Sequence, residues 1–131
     1  MIGLDSSVLI EILRNRASVA ELRKYAEEEF CTSEIAAFEI LYGAYALPKL
    51  DERKLMAAET LLDSLSCVFP VERKAARKAA EIAGRLSKLG QTIGHTDALI
   101  AGSLLANGCK RFITKNVKDF ERIKELELVK A

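Results

Sequence analysis

The sequence predicts an α/β fold: a parallel sheet of four to five strands flanked by helices on both faces. Three observations carry this. Short apolar runs alternate along the chain with longer segments of helical period, the pattern of strand–helix–strand crossovers. The 131 residues suit one domain, 1–131, and bury enough surface to fold without disulfides or a structural metal. With 50% hydrophobic and 30% charged residues, disorder is excluded as the main state.

The elements follow in order. Met1–Leu4 is a short strand ending at Asp5, and Ser7–Arg14 is a helix. Ser18 begins another helix with a capping box to Glu21. Phe30–Thr32 is a second strand. Ser33 can cap a helix to about Leu47, where Pro48 enforces the stop. Asp51 can cap Asp51–Leu65, and Cys67–Pro70 is a third strand. Glu72–Leu89 is a long amphipathic helix closed by Gly90. Thr96 can cap Asp97–Asn107, which Gly108 closes. Arg111–Thr114 is a fourth strand, Asn116–Phe120 a turn or short helix, and Leu126–Val129 an edge strand. Crossovers between parallel strands are right-handed, and such sheets hold ligands at the carboxyl ends of their strands. Asp5 and the 114–119 loop both belong to that edge.

Composition narrows the function. Lys+Arg 20 against Asp+Glu 19 gives +1, so nucleic acid is not held by bulk charge. No apolar run reaches the roughly 18 residues of a membrane span. The first residues carry no basic leader, and the cytoplasm is the expected compartment. Cys31, Cys67 and Cys109 are far apart with no CxxC pair, as expected of buried reduced thiols rather than a zinc site.

Three carboxylates stand alone. Asp5 is the only charge in MIGLDSSVLI, Glu39 the only one between Ile35 and Leu47, and Asp97 the only one between Gly90 and Gly108. An isolated acid in an apolar segment needs a partner. Each has a bland alternative: a helix cap for Asp5, a first-turn dipole partner for Asp97, a solvent-facing or distantly paired acid for Glu39. Asp119, among Lys115, Lys118, Glu121 and Arg122, reads by itself as a solvated loop acid. Taken together, the acids point to a cation-held cluster, and an all-oxygen ligand set selects a hard divalent ion, Mg²⁺ or Mn²⁺.

Four blocks then resemble one family. LDSSVLIEIL, SEIAAFEILYGA, IGHTDALIAG and ITKNVKDF resemble, in order and across essentially the whole chain, the four acidic blocks of PIN-domain nucleases. The EILYGA wording is most similar to the VapC toxins of toxin–antitoxin pairs. The resemblance implies a metal-dependent endoribonuclease with Asp5, Glu39, Asp97 and Asp119 around Mg²⁺ or Mn²⁺. It also implies an RNA substrate, a homodimer and a VapB-type antitoxin. Ser6, Thr114 and Asn116 match supporting polar positions, with turn chemistry as the alternative. His95 lies where relatives vary. Arg14, Arg16, Lys115 and Lys118 are expected to hold the RNA backbone.

Other readings fit less well. A receiver domain needs an acid pair after the first strand and an acceptor Asp after the third. A phosphatase of the Asp-x-Asp type fails at Ser6 and Ser7, and no GxGxxG follows the first strand. A nuclease outside any toxin–antitoxin pair, or a silent binding module, stays open. The sequence does not select among tRNA, ribosomal RNA and messenger RNA.

Overall fold

The computed structural model describes residues 1–15, 22, 25 and 27–129. The expected Ser18–Glu21 capping box and Arg16 lie outside them. Along the chain run β1 (Ile2–Leu4), α1 (Ser6–Leu13), β2 (Phe30–Ser33), α2 (Glu34–Tyr45), α3 (Glu52–Ser64) and β3 (Cys67–Phe69). Then follow α4 (Arg73–Lys88), α5 (His95–Ala106), β4 (Arg111–Ile113), α6 (Val117–Phe120) and β5 (Glu127–Leu128). The expected boundaries hold within about two residues, with one correction at α5. It starts at His95 with Gly94 as its N-cap and no side-chain cap, so Thr96 lies inside the first turn instead of capping it. Among the described residues, no helix is long and apolar enough to cross a membrane.

All four strand pairings are parallel, in the order β3-β2-β1-β4-β5. Gly3 stands opposite Cys31 on one side and Phe112 on the other, so the first strand made is the central one. The chain steps outward from β1 to β3, then crosses back to the far side of β1. Right-handed crossovers place α1, α2 and α3 on one face and α4 and α5 on the other. The order reverses between β1 and β4, and the crevice at their carboxyl ends is where such sheets take ligands. Thr32 Oγ1 donates to the Leu4 carbonyl at 2.6 Å, tying β2 to the end of β1 just before Asp5.

Ile2, Leu4, Val8, Leu9, Ile100, Leu104 and Phe112 are fully buried around β1. Gly3 lets α5 sit directly on that strand, since a Cβ there would come within 2.7 Å of Leu104 Cδ1. Gly102 does the same between α4 and α5, where a Cβ would meet the Ala79 amide nitrogen at 2.7 Å and the Ala75 carbonyl at 2.8 Å. Backbone cannot yield as a side-chain tip can. Gly102→Ala is therefore expected to cost about 1–3 kcal/mol through overpacking, despite alanine's better helix propensity. A thermal melt unchanged from wild type would show that the two helices slide apart freely.

Both helices close on glycine as expected. Gly90 (φ +70°) and Gly108 (φ +81°) follow the C-caps of α4 and α5. The Gln91 and Cys109 amides donate back to the Leu86 and Leu104 carbonyls, and the Gly90 and Gly108 amides to those of Ser87 and Leu105, the paired bonds of a Schellman stop. All three cysteines are free thiols. Cys31 and Cys109 are buried with their sulfurs 3.6 Å apart, while Cys67 is only half-buried.

Candidate active site

Asp5 leaves β1 in extended conformation and is the N-cap of α1, with 3% of its surface exposed. Its Oδ1 accepts from the Val8 amide at 3.3 Å and from Ser7 Oγ at 2.6 Å, and its Oδ2 accepts from Thr114 Oγ1 at 2.6 Å. The capping alternative is thus correct, and it does not exclude a site role. Burial pushes its proton affinity above the usual carboxylate range, against the pull of these hydrogen bonds.

Thr114 closes β4 and is buried. Its hydroxyl donates to Asp5 and accepts from the Asn116 amide at 2.9 Å. Asn116 Nδ2 donates to Asp119 Oδ2 at 2.8 Å. Phe120 is buried against Phe112 with ring centroids 4.8 Å apart, which fixes α6, and so Asp119, to β4. The expected supporting roles of Thr114 and Asn116 coincide with these bonds. Ser6 is displaced by its neighbour, because the hydroxyl on Asp5 is that of Ser7, which also accepts from the Lys115 amide at 3.0 Å. Two residues were missed in the sequence. Ser7 is recognisable as the second helical residue after an aspartate cap. Arg122, three residues beyond Asp119, lies 3.9 Å from its Oδ1 and donates to the Thr92 carbonyl at 3.0 Å.

Glu39 lies in the second turn of α2, whose N-terminus Ser33 caps by accepting from the Ile35 amide. Its Oε1 is buried with no hydrogen-bond partner among the described residues, as its apolar sequence neighbours foretold. Asp97 lies in the first turn of α5, half-buried. Burial, then the charges of Asp5, Glu39 and Asp119 in that order, push its pKa up to about 6. Contacts between α2 and α5 across the sheet edge help bring Glu39 and Asp97 into range. The four acids therefore share one field at the β1–β4 crevice.

An all-oxygen set of four carboxylates, one oxygen of it buried and unpaired, fits a hard divalent cation. Among the described residues, no three acids, thiols or imidazoles meet at a single ligation point. The acids line the crevice without closing on one centre. His95 is exposed at the start of α5. Lys115 and Lys118 are exposed beside Asp119, and Arg14 is exposed at the end of α1. Arg14, Lys54 and Glu39 edge a groove of about 320 Å³ between α1, α2 and α3, walled by Ile10, Leu13, Ile40 and Ala58. The outer face of α2 is also apolar, with Phe38, Tyr42 and Tyr45 more than half exposed and the first two stacked.

Known proteins bear on this geometry. The PIN domain family model matches residues 2–126. The chain is 31% identical over 127 residues to a protein of Rickettsia felis named ribonuclease VapC1, covering 96% of this chain and 92% of that one. It is 29% identical over 121 residues to the tRNA(fMet)-specific endonuclease VapC of Shigella flexneri, covering 92% and 89%. The crystal structure of VapBC2 from Rickettsia felis, bound to a fragment of its promoter DNA, matches with a TM-score of 0.86 at 25% identity, over 100% of this chain and 99% of that one.

Proposed function

Because the chain belongs to the PIN domain family, we propose that it is the toxin of a VapBC-type pair, an endoribonuclease that hydrolyses RNA phosphodiester bonds with Mg²⁺ or Mn²⁺. The observation that carries the chemistry is Asp97. Three other carboxylates from three other segments press on it, and such a cluster favours a bound cation that meets its charge. Asp5, Glu39, Asp97 and Asp119 would hold that ion. When bound, a divalent ion polarises the phosphoryl oxygen and acidifies water for in-line attack.

The protein's own part is positioning. Thr114 and Ser7 fix both oxygens of Asp5, and Asn116 fixes one of Asp119, so two of the acids cannot rotate away. Glu39 Oε1, buried and without a partner among the described residues, would gain one from a cation in the crevice. Arg14, Lys115 and Lys118 edge the acids and would steady the phosphates on either side of the cut. The test is cleavage of defined RNAs with EDTA, Mg²⁺ or Mn²⁺. Initiator tRNA comes first, because a relative named for cutting it covers 92% of the chain. Cleavage that persists unchanged in EDTA would overturn the metal reading, and no cleavage of any RNA would overturn the activity.

The two apolar surfaces suit protein partners. The aromatic row of α2 is assigned to a second copy of this chain, and a 14.5 kDa particle by light scattering at micromolar concentration would refute it. A VapB-type antitoxin that blocks the site has to satisfy its carboxylates, which a reaching Arg does with bidentate bonds. Millimolar Mg²⁺ or Mn²⁺ is then expected to weaken the toxin–antitoxin complex. Affinity unmoved by either ion would remove the cation-mimic mechanism.

A further inference from the structure

Charge is segregated in this molecule. Helix α4 carries Arg73, Lys74, Arg77, Lys78, Arg85 and Lys88 against the single acid Glu81. Six bases against one acid make it +5, which leaves −4 for the remainder of a chain whose total is +1. Two of the six are engaged inward. Arg85 holds both oxygens of Glu125, at 2.6 and 3.0 Å, and Lys78 lies 3.2 Å from the same carboxylate. Arg73, Lys74, Arg77 and Lys88 are exposed, and among the described residues none of these four is in an ion pair.

At about 100° per residue, Arg73, Arg77, Gly84 and Lys88 fall within roughly 60° of one another on the helix surface. Ala76, Ala80 and Gly84 run beside them, and the surface at Ala80, Gly84 and Lys88 is concave. Among the described residues nothing requires Gly84, since a Cβ there would meet nothing within 4 Å. A glycine in mid-helix costs stability, and here what it provides is room for something outside the chain.

That something must carry negative charge, and the site supplies the reason. Arg14, Lys115 and Lys118 edge the acids and reach only the phosphates beside the cut, so phosphates farther along the strand need another grip. Helix α4 packs along α5, whose first turn bears Asp97. The six residues after Lys88 lead to His95, and Arg122 ties Thr92 of that connection to the Asp119 side of the crevice. The helix is about 24 Å long, so its basic row extends from the site over several nucleotides. We infer that the exposed face of α4, through Arg73, Lys74, Arg77 and Lys88, grips the phosphodiester backbone of the RNA substrate outside the segment that is cut. The inference rests on the nuclease reading and adds a second, remote contact to it.

The test is the variant with Arg73→Gln, Lys74→Gln, Arg77→Gln and Lys88→Gln, all good helix formers, checked by thermal melt. Cleavage of a folded RNA of tRNA size is compared with that of a short oligonucleotide holding the same cut. Binding of the folded RNA is titrated in EDTA against salt. The expected result is a KM for folded RNA raised about tenfold or more, kcat within about twofold, and an unchanged oligonucleotide rate. The slope of log K against log salt should fall by about three, at roughly 0.7–0.9 per lost phosphate contact. Wild-type KM and slope in the variant would overturn the inference. So would an equal loss on the short oligonucleotide, or tighter binding of duplex DNA than of RNA that vanishes in the variant. If the wild type cuts no RNA, the nuclease reading falls, and the salt slope still decides whether α4 holds phosphates.

Discussion

Asp97→Asn is expected to lose at least about 100-fold in RNA cleavage and, in EDTA at neutral pH, to melt higher than wild type. The stability gain follows from the raised pKa of about 6. Between about pH 4 and 6 the folded state binds the Asp97 proton more tightly than the unfolded chain does, so stability falls as pH rises through that window. Above it the full penalty is present. Asparagine keeps the shape and carries no charge. Discounting for partial exposure and for the lost helix-dipole contact, the gain is about 1 kcal/mol, or about 3–6 °C in Tm. At pH 4 the two proteins should melt together. Stabilisation of the wild type by Mg²⁺ should largely vanish in the variant, since it follows ion affinity. Melts in EDTA and Mg²⁺ across pH, with cleavage on the same preparation, check this. A variant that melts lower in EDTA and still cuts RNA with metal would reduce Asp97 to a dipole partner.

Asp5→Ala is expected to behave oppositely in stability while losing the same activity. The substitution removes the N-cap of α1, worth about 1 kcal/mol. It also strands the buried hydroxyl of Thr114 and the half-buried one of Ser7, at about 1–3 kcal/mol. Relief of the desolvated charge returns part of this, so the net loss is about 2–3 kcal/mol, read by denaturant melts. Asp5→Asn keeps a capping oxygen and should recover most of the stability but no cleavage. If Asp5→Ala folds as well as wild type, the buried bonds of Thr114 and Ser7 are not holding the end of β1.

The α/β class and the order of elements were readable because strand and helix differ in period. Asp5, Glu39 and Asp97 stood out because each is alone in an apolar segment, whereas Asp119, among other charges, entered only through its loop at the sheet edge and the family resemblance. The convergence of the acids was not readable: Asp5 and Thr114 are 109 residues apart, and only the pairing of β1 with β4 makes them neighbours. Smaller choices depend on local geometry that one-dimensional pattern cannot resolve. Ser6 and Ser7 are chemically identical, and which one reaches back to Asp5 is decided by where α1 begins. Thr96 is a better capping residue than Gly94, yet α5 starts two residues earlier than a Thr96 cap would set, with Asp97 inside its first turn. In the sequence α4 reads only as a long amphipathic helix, although its excess of bases can be counted there. Their division into two inward bases and four outward ones depends on Glu125, 40 residues from Arg85.

The central position of β1 also sets when this protein can become harmful. β1 is synthesised first, but its second neighbour, β4, comes more than 100 residues later, and Asp119 later still. At about 5–20 residues per second, the ribosome needs roughly 5–20 s to span that gap. A nascent chain can gather Asp5 and Glu39 on the β3-β2-β1 half of the sheet and still lack the other two acids. If Asp119 serves as proposed, a chain broken off before residue 119 is expected to be inert, and a partner translated alongside the full chain gains those seconds to arrive.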